Sequence, residues 1–91
     1  MIQALLLTNN TVIISEIEEI MVDLGEPNCK LVKPFVIKDN ELERFLRDYT
    51  EDTEFMISSD NIITLFKPLE DIEEQYIELS GIKTQELSPK E

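Results

Sequence analysis

The sequence predicts a mainly β domain: a five-stranded, strongly bent antiparallel sheet or small open barrel, with a short helix between the third and fourth strands and a second helix at its C-terminal end. Three observations predict this class. Short runs rich in β-branched residues follow one another from the N-terminus. Turn-forming Asn, Gly and Pro residues separate those runs. Two later segments instead carry apolar residues three and four positions apart, as helices do.

The first two strands are predicted as a hairpin. Residues Ile2–Leu7 are mostly apolar, and Thr8–Thr11 form a turn whose two asparagines tolerate positive φ. The segment Val12–Val22 then alternates in part, which is typical of a long, half-buried antiparallel strand.

The third strand follows a break at Leu24–Asn28, which contains a glycine and a proline. Strand character resumes over Lys30–Lys38. Because Pro34 has no N–H to give to a ladder, we expect the strand to be bulged or at a sheet edge there.

A short helix or a helical turn is predicted over Asp39–Asp52, with Asp39 or Asn40 as its cap. Its apolar residues are spaced i, i+3, i+4 and i+7, which places them on one helical face: Leu42, Phe45, Leu46, Tyr49.

Two further strands and a helix complete the domain. Glu54–Ser58 and Ile62–Lys67 are predicted as strands on either side of a tight turn, and so as a closing hairpin. A helix over Leu69–Leu79 starts after Pro68, stops at Gly81 and should pack its apolar stripe on the sheet. The domain therefore covers residues 1–80, and the polar segment 81–91 is predicted to be a disordered tail.

Size and composition predict self-association. A chain of 91 residues forms one domain and buries only about two-thirds of its unfolded surface. Small domains of this kind gain stability from disulfides, metals or oligomerisation. Cys29 is the only cysteine and there is no histidine, so the sequence favours oligomerisation, with a lone small domain as the alternative.

The charge is strongly acidic, with 20 acidic and 8 basic residues and a net charge of −12. This charge repels phosphate at long range, so a nucleic-acid partner would have to bind at a local patch. The alternative is a solvated acidic surface with no such role. No basic leader or apolar run of about 20 residues is visible, which predicts a cytoplasmic protein without a membrane partner.

The segment Phe55–Phe66 resembles the second sequence motif of the Sm-like (LSm/Hfq-type) family. Ile57, Asn61, Ile62 and Leu65 occupy its apolar and Asn positions, whereas Ser58 and Ser59 stand where Arg and Gly are usual. The first motif is fainter: in Asn10–Ile17, Ile13 and Ile17 match its apolar positions. The whole chain looks like a divergent member of the kind found in phages, cyanophages included, which would place it in the host cytoplasm.

This resemblance implies a homo-oligomeric ring of five to seven subunits. In such rings the strands before and after the second motif's turn lie at opposite edges of the sheet, so neighbouring subunits pair edge to edge. Such pairing would also protect these apolar, β-prone strands from aggregation. The family usually carries its helix at the N-terminus, unlike this chain. The expected interface residues are Phe55, Met56, Ile57, Ile62, Ile63, Leu65 and Phe66.

The resemblance also implies an RNA site at the turn between these strands, where Sm rings hold a uracil base of single-stranded RNA. The candidate residues are Ser58, Ser59, Asp60 and Asn61, with Asp23 from the preceding turn region. Their side chains can hydrogen-bond a base edge. The alternative is an ordinary turn in which Asp60 and Asn61 bond the backbone.

The remaining charged clusters predict no chemistry of their own. The acidic runs lack calcium-loop spacing and a partner nucleophile, so we expect neither a metal site, a cofactor nor an enzyme. Five basic residues form either a binding patch or ion pairs with carboxylates of the predicted first helix: Lys30, Lys33, Lys38, Arg44, Arg47.

Two functions remain open from the sequence. The first is a non-enzymatic Sm-like ring subunit with a role in RNA binding or as a scaffold in RNA metabolism, acting through identical sites repeated around the axis. The second is an Sm-fold module that has lost RNA binding and contacts other proteins, which the acidic charge and the missing Arg favour.

Overall fold

The computed structural model describes residues 2–23 and 25–82, which form a mainly β domain with an antiparallel sheet of six strands and one C-terminal helix. The strand order is β4-β3-β2-β1-β6, with β5 also beside β3. The elements are β1 Ile2–Leu7, β2 Val12–Glu19, β3 Cys29–Lys38, β4 Glu41–Arg44, β5 Glu54–Ile57, β6 Ile62–Phe66 and α1 Glu70–Ser80, with one turn of 3-10 helix at Ser59–Asn61.

Strands β1 and β2 form the predicted hairpin. Their register runs from Ile2 opposite Glu16 to Leu6 opposite Val12. Asn10 adopts a φ of 69°, the left-handed conformation that Asn tolerates in tight turns. Strand β2 ends at Glu19, three residues earlier than the alternating pattern predicted.

Strand β3 carries the bulge that the sequence predicted at Pro34. The register of β2 against β3 shifts between Ile14 and Glu16, so that Ser15 faces both Lys33 and Pro34. Lys33 has a φ of 54°. On the other side of β3, the segment before the bulge pairs with β5 and the segment after it pairs with β4. Pro34 therefore sits where a ladder donor is not needed.

The predicted helix over Asp39–Asp52 is wrong, and only a turn at residues 45–49 follows β4 there. Asp39 and Asn40 have φ of 53° and 65°, so they form a tight reversal instead of a helix cap, and β4 runs back along β3. Leu42 packs in the cluster beside α1, whereas Phe45 packs in the cluster on the other face of the sheet. Side chains that pack on opposite faces of a sheet cannot form one apolar face of a helix. The helical spacing of these apolar residues therefore did not indicate a helix.

The predicted closing hairpin is also wrong in its pairing. Strands β5 and β6 flank the turn at Ser59–Asn61, but β5 pairs with β3 and β6 pairs with β1. The two strands thus lie at opposite edges of the sheet, as the family resemblance implied. With β4 in place of a helix, the sheet has six strands and not five.

Apolar side chains form one cluster on each face of the sheet. The first is built on Leu5, Ile13 and Leu31, and the second on Ile14, Ile72 and Tyr76. The neighbours Ile13 and Ile14 enter different clusters because successive side chains of a strand point to opposite faces.

Helix α1 covers the second cluster, as its apolar stripe predicted, and ends at Gly81 with a φ of 75°. The buried hydroxyl of Tyr76 bridges the β3 bulge: it donates to the Val32 carbonyl at 3.0 Å and accepts from the Glu16 N–H at 2.9 Å. Burial raises the pKa of Tyr76 to about 12. Ile82 packs on the same cluster. The rest of the predicted tail, residues 83–91, lies outside the described residues.

Candidate functional site

The turn between β5 and β6 is held by the serine that precedes it. The Ser58 hydroxyl oxygen accepts the Asp60 N–H at 3.1 Å, and the Ser58 carbonyl accepts the Asn61 N–H at 3.0 Å. The sequence offered Asp60 and Asn61 as the side chains that would bond the backbone. Within the described part of the chain, neither of them caps this turn. Both are exposed and available to a partner.

This turn faces the β2–β3 loop across an open groove of about 320 Å³. The Asn28 side-chain oxygen accepts the Ser59 N–H at 2.9 Å and so ties the loop to the turn. The structure therefore brings Ser58, Ser59 and Asp60 together with Asp23, as predicted from two distant segments. The described residues that line the groove are Ile20, Met21, Val22, Asp23, Gly25, Glu26, Asn28, Ser58, Ser59 and Asp60.

Asn61 does not belong to this groove. It lines a different cavity of about 220 Å³ with residues of the β1–β2 turn, and its carbonyl accepts the Thr8 N–H at 2.9 Å. Of the four residues predicted at this turn, Ser58, Ser59 and Asp60 line the groove, whereas Asn61 lines the other cavity. Asn28, which the sequence marked only as part of a break, is the residue that joins the two halves of the groove. The feature of the sequence that could have indicated this role is the position of Asn28 directly before an apolar strand.

The groove is polar and acidic. Asp23, Glu26 and Asp60 line it, and no Lys or Arg lies among its described lining residues. Met21 stands beside the groove with 99% of its surface exposed. Hydroxyl and amide groups here can hydrogen-bond a base edge or a peptide, while the carboxylates repel phosphate and attract cations.

Strands β5 and β6 each have one unpaired edge. Within residues 2–23 and 25–82, β5 pairs only with β3 and β6 only with β1. On these strands Met56, Ile63, Leu65 and Phe66 are 44%, 57%, 45% and 41% exposed. The other three predicted interface residues, Phe55, Ile57 and Ile62, are half-buried against the first apolar cluster.

The basic residues are dispersed. Lys30 pairs with Glu54 at 3.2 Å and Arg47 with Asp48 at 3.7 Å, both at the surface. Arg44 donates instead to the Thr50 carbonyl and Lys33 to the Ser80 carbonyl. The predicted pairing along one helix is therefore wrong, because that helix is absent, although the Arg47–Asp48 pair forms.

The described residues were also compared with the geometry of a metal site. No three His, Cys, Asp or Glu side chains among them converge as a metal site would require. Cys29 is buried, and burial, followed by the charge of Glu19, raises its thiol pKa. Helix α1 has 11 residues, and no described helix is long and apolar enough to cross a membrane.

Comparison with known proteins gives a family but no activity. The family of unknown function DUF6561 matches residues 1–81. None of the curated proteins matches the chain.

Proposed function

We propose that this chain, which belongs to the DUF6561 family of unknown function, is a non-enzymatic Sm-like subunit of a homo-oligomeric ring that acts as a scaffold in RNA metabolism. One observation carries the proposal. The strands on either side of one short turn lie at opposite edges of a single sheet, each with an unpaired side, while the turn itself joins the β2–β3 loop in a groove.

Edge pairing is the physical basis of assembly. An unpaired apolar strand attracts another strand, and a subunit with two different open edges associates head to tail. When the rotation between neighbours closes, the product is a ring. Covering Ile63, Leu65 and Phe66, each about half exposed, would contribute about 1 kcal/mol per side chain. Pairing would also add backbone hydrogen bonds along both edges.

The groove is where a base of single-stranded, U-rich RNA would bind. The exposed Ser59 and the adjoining Ser58 and Asp60 present hydroxyl and carboxylate groups to a base edge, and Met21 offers an apolar surface beside them. Repetition of shallow sites around a ring raises the effective affinity. The carboxylates oppose the phosphate backbone, so binding should depend on the base and be weak at each site.

Binding of short oligouridine tests the RNA role. The full chain is titrated with a labelled oligouridine at low and at moderate salt, and fluorescence anisotropy is measured. Asp60→Asn keeps a side-chain oxygen for the base edge but removes the charge, so it should strengthen binding about threefold or more by lowering the repulsion of phosphate. Asp71→Asn on the outside of α1 is the matched control. Absence of binding at both salt concentrations would exclude the RNA role.

The second candidate is a protein-interaction module, and the three groove carboxylates favour it. A basic peptide segment would meet Asp23, Glu26 and Asp60 with complementary charge. Asp60→Asn separates the two candidates because it changes them in opposite directions. It should weaken binding of a lysine-rich test peptide, whereas it strengthens binding of oligouridine.

A further inference from the structure

We propose that a second cavity, at the β3 bulge, binds a small amphipathic anion that has a carboxylate or phosphate head and a short apolar body. The cavity has a volume of about 180 Å³ and lies away from the groove and from the turn at Ser59–Asn61. This proposal goes beyond the assembly and RNA roles and depends on neither of them.

The cavity exists because β3 changes partner at Pro34. Before the bulge its outer edge pairs with β5, up to Val32 opposite Glu54, and after the bulge with β4, from Phe35 opposite Arg44. The Lys33 N–H reaches the Thr53 carbonyl at 2.6 Å and marks the edge of this gap. Leu79 and Ser80, at the end of α1, contribute to the lining of the same gap.

Two cations at this cavity have donors to spare. Lys33 Nζ donates to the Ser80 carbonyl at 3.0 Å. Arg44 donates twice, from Nη1 to the Thr50 carbonyl at 3.1 Å and from Nη2 to the Arg47 carbonyl at 3.5 Å. Each uses only part of its capacity, since an ammonium has three N–H donors and a guanidinium five. Neither takes part in the ion pairs found among the described residues. This is notable in a chain with 20 acidic and 8 basic residues.

The balance of charge at the cavity favours an anion. Lys33 and Arg44 are half-buried, where electrostatic attraction is less screened by water. Asp52 is the one carboxylate among the described lining residues, and it is exposed, so solvent screens it more strongly. The Ser80 carbonyl at the end of α1 carries partial negative charge, but Lys33 Nζ already donates to it. An oxyanion can therefore accept hydrogen bonds from the unused donors of both cations.

The apolar residues that line the cavity favour a ligand with a small apolar part. Pro34 is buried, and Phe35, Phe55 and Leu79 add apolar surface to the lining. Drug-sized ligands occupy cavities of roughly 300–1,000 Å³, so this smaller cavity suits a short chain or a single ring. Hexanoate matches the class: one charged head and an apolar body of about six carbons.

Titration with matched probes tests the site. Backbone amide shifts of the full-length 15N-labelled chain are followed while hexanoate, hexan-1-ol and acetate are added separately. Hexanoate should shift Thr53 and Phe55 and bind with a Kd about tenfold or more below those of hexan-1-ol and acetate. Hexyl phosphate, as a fourth probe, shows whether the site prefers a phosphate or a carboxylate head. Equal affinity for hexan-1-ol and hexanoate, or no shifts at these residues, overturns the proposal.

Variants of Lys33 and Leu79 test whether these two side chains contribute to hexanoate binding. Lys33→Gln should weaken hexanoate binding about fivefold or more, whereas Lys30→Gln, which affects a surface ion pair, should leave it unchanged. Leu79→Glu places a like charge at the exposed wall and should abolish binding without disturbing the core, while Leu79→Gln should retain most of it. Unchanged affinity in Leu79→Glu overturns the proposal even if Lys33→Gln does not fold. Neither result bears on ring assembly or oligouridine binding.

Discussion

Two edge strands of this sheet differ in how they meet solvent. Strand β4 has the sequence Glu-Leu-Glu-Arg, and its two glutamates are exposed. Strand β6 has the sequence Ile-Ile-Thr-Leu-Phe, and four of its five residues are exposed. Charged side chains discourage pairing with another strand, whereas apolar β-branched residues invite it. The comparison indicates that β4 ends the sheet and that β6 is open for a partner.

Strand β5 has a charged residue, as β4 does, and apolar residues, as β6 does. Its Glu54 pairs with Lys30, while Phe55 and Ile57 pack against the first apolar cluster and Met56 is exposed. Along the outer side of β3, the charged β4 and the more apolar β5 are separated only by the bulge at Lys33 and Pro34. In the proposed assembly, the bulge separates the edge that pairs with a neighbouring subunit from the edge that does not.

The largest expected effect follows from placing charge on β6. The double variant Ile63→Lys with Leu65→Lys should weaken self-association about 100-fold or more, because two ammonium groups would have to be desolvated at the interface. Sedimentation velocity over a range of concentrations measures this.

The matched control for that variant adds the same charges to β4. Glu41→Lys with Glu43→Lys should leave the assembly unchanged. Equal dissociation by both double variants would show that general charge, and not the β6 edge, governs association. Circular dichroism confirms that each variant is folded.

The Tyr76 hydroxyl is hydrogen-bonded to both strands of the bulge. Tyr76→Phe removes the donor to the Val32 carbonyl and the acceptor that Tyr76 offers to the Glu16 amide. We expect the free energy of unfolding to fall by about 2 kcal/mol in urea denaturation, the usual cost of disturbing buried hydrogen bonds. The exposed Tyr49 is the control, and Tyr49→Phe should change stability by less than about 0.5 kcal/mol. Similar losses in both variants would contradict the bridging role.

The same residue predicts a loss of stability at high pH. The pKa of Tyr76 is about 12 in the folded chain, above the ordinary value of 10. The folded state thus holds its phenolic proton more tightly than the unfolded state. This stabilisation is complete below pH 10 and is lost as the pH rises towards about 12, by about 2 kcal/mol. Tyr76→Phe should lack this component of the pH profile, whereas Tyr49→Phe should keep it; identical profiles would refute the assignment.

The smallest effect concerns removal of charge from β4. Glu41→Val with Glu43→Val should create a third open edge, in addition to those of β5 and β6, and cause weak association between assemblies at high concentration. Cross-strand apolar pairs contribute roughly 0.2–1 kcal/mol each, so the change should be visible only as a modest rise in light scattering. Wild-type behaviour of this variant at millimolar concentration would show that charge is not what protects β4.

The sequence predicted the features that depend on local chemistry. Asn10 signalled the first turn, Pro34 the bulge, and Pro68 and Gly81 the limits of α1. It failed at β4, because Leu42 and Phe45 have helical spacing but pack on opposite faces of the sheet. The pair Asp39–Asn40 was the competing signal, since both residues tolerate positive φ.

Part of the candidate site could also be predicted from the sequence. The resemblance placed Asp23 and Ser58–Asp60 near one another, and the structure joins them in one groove. The separation of Asn61 depends on its carbonyl bond to the Thr8 amide, which is a contact between distant parts of the chain. The role of Asn28 depends likewise on a contact 31 residues away in sequence. The cavity at the bulge is lined by residues of β3, β4, the segment 52–55 and α1. Because these segments are distant in sequence, no local sequence pattern could predict it.

Sedimentation velocity of the wild-type chain at micromolar concentration tests assembly through β5 and β6 most directly. We expect one discrete, closed species of five to seven subunits whose size does not grow with concentration, as a ring requires. A monomer would contradict it, since both apolar edges would then remain open to water. A continuous series of larger species would contradict it as well, because head-to-tail pairing would then fail to close.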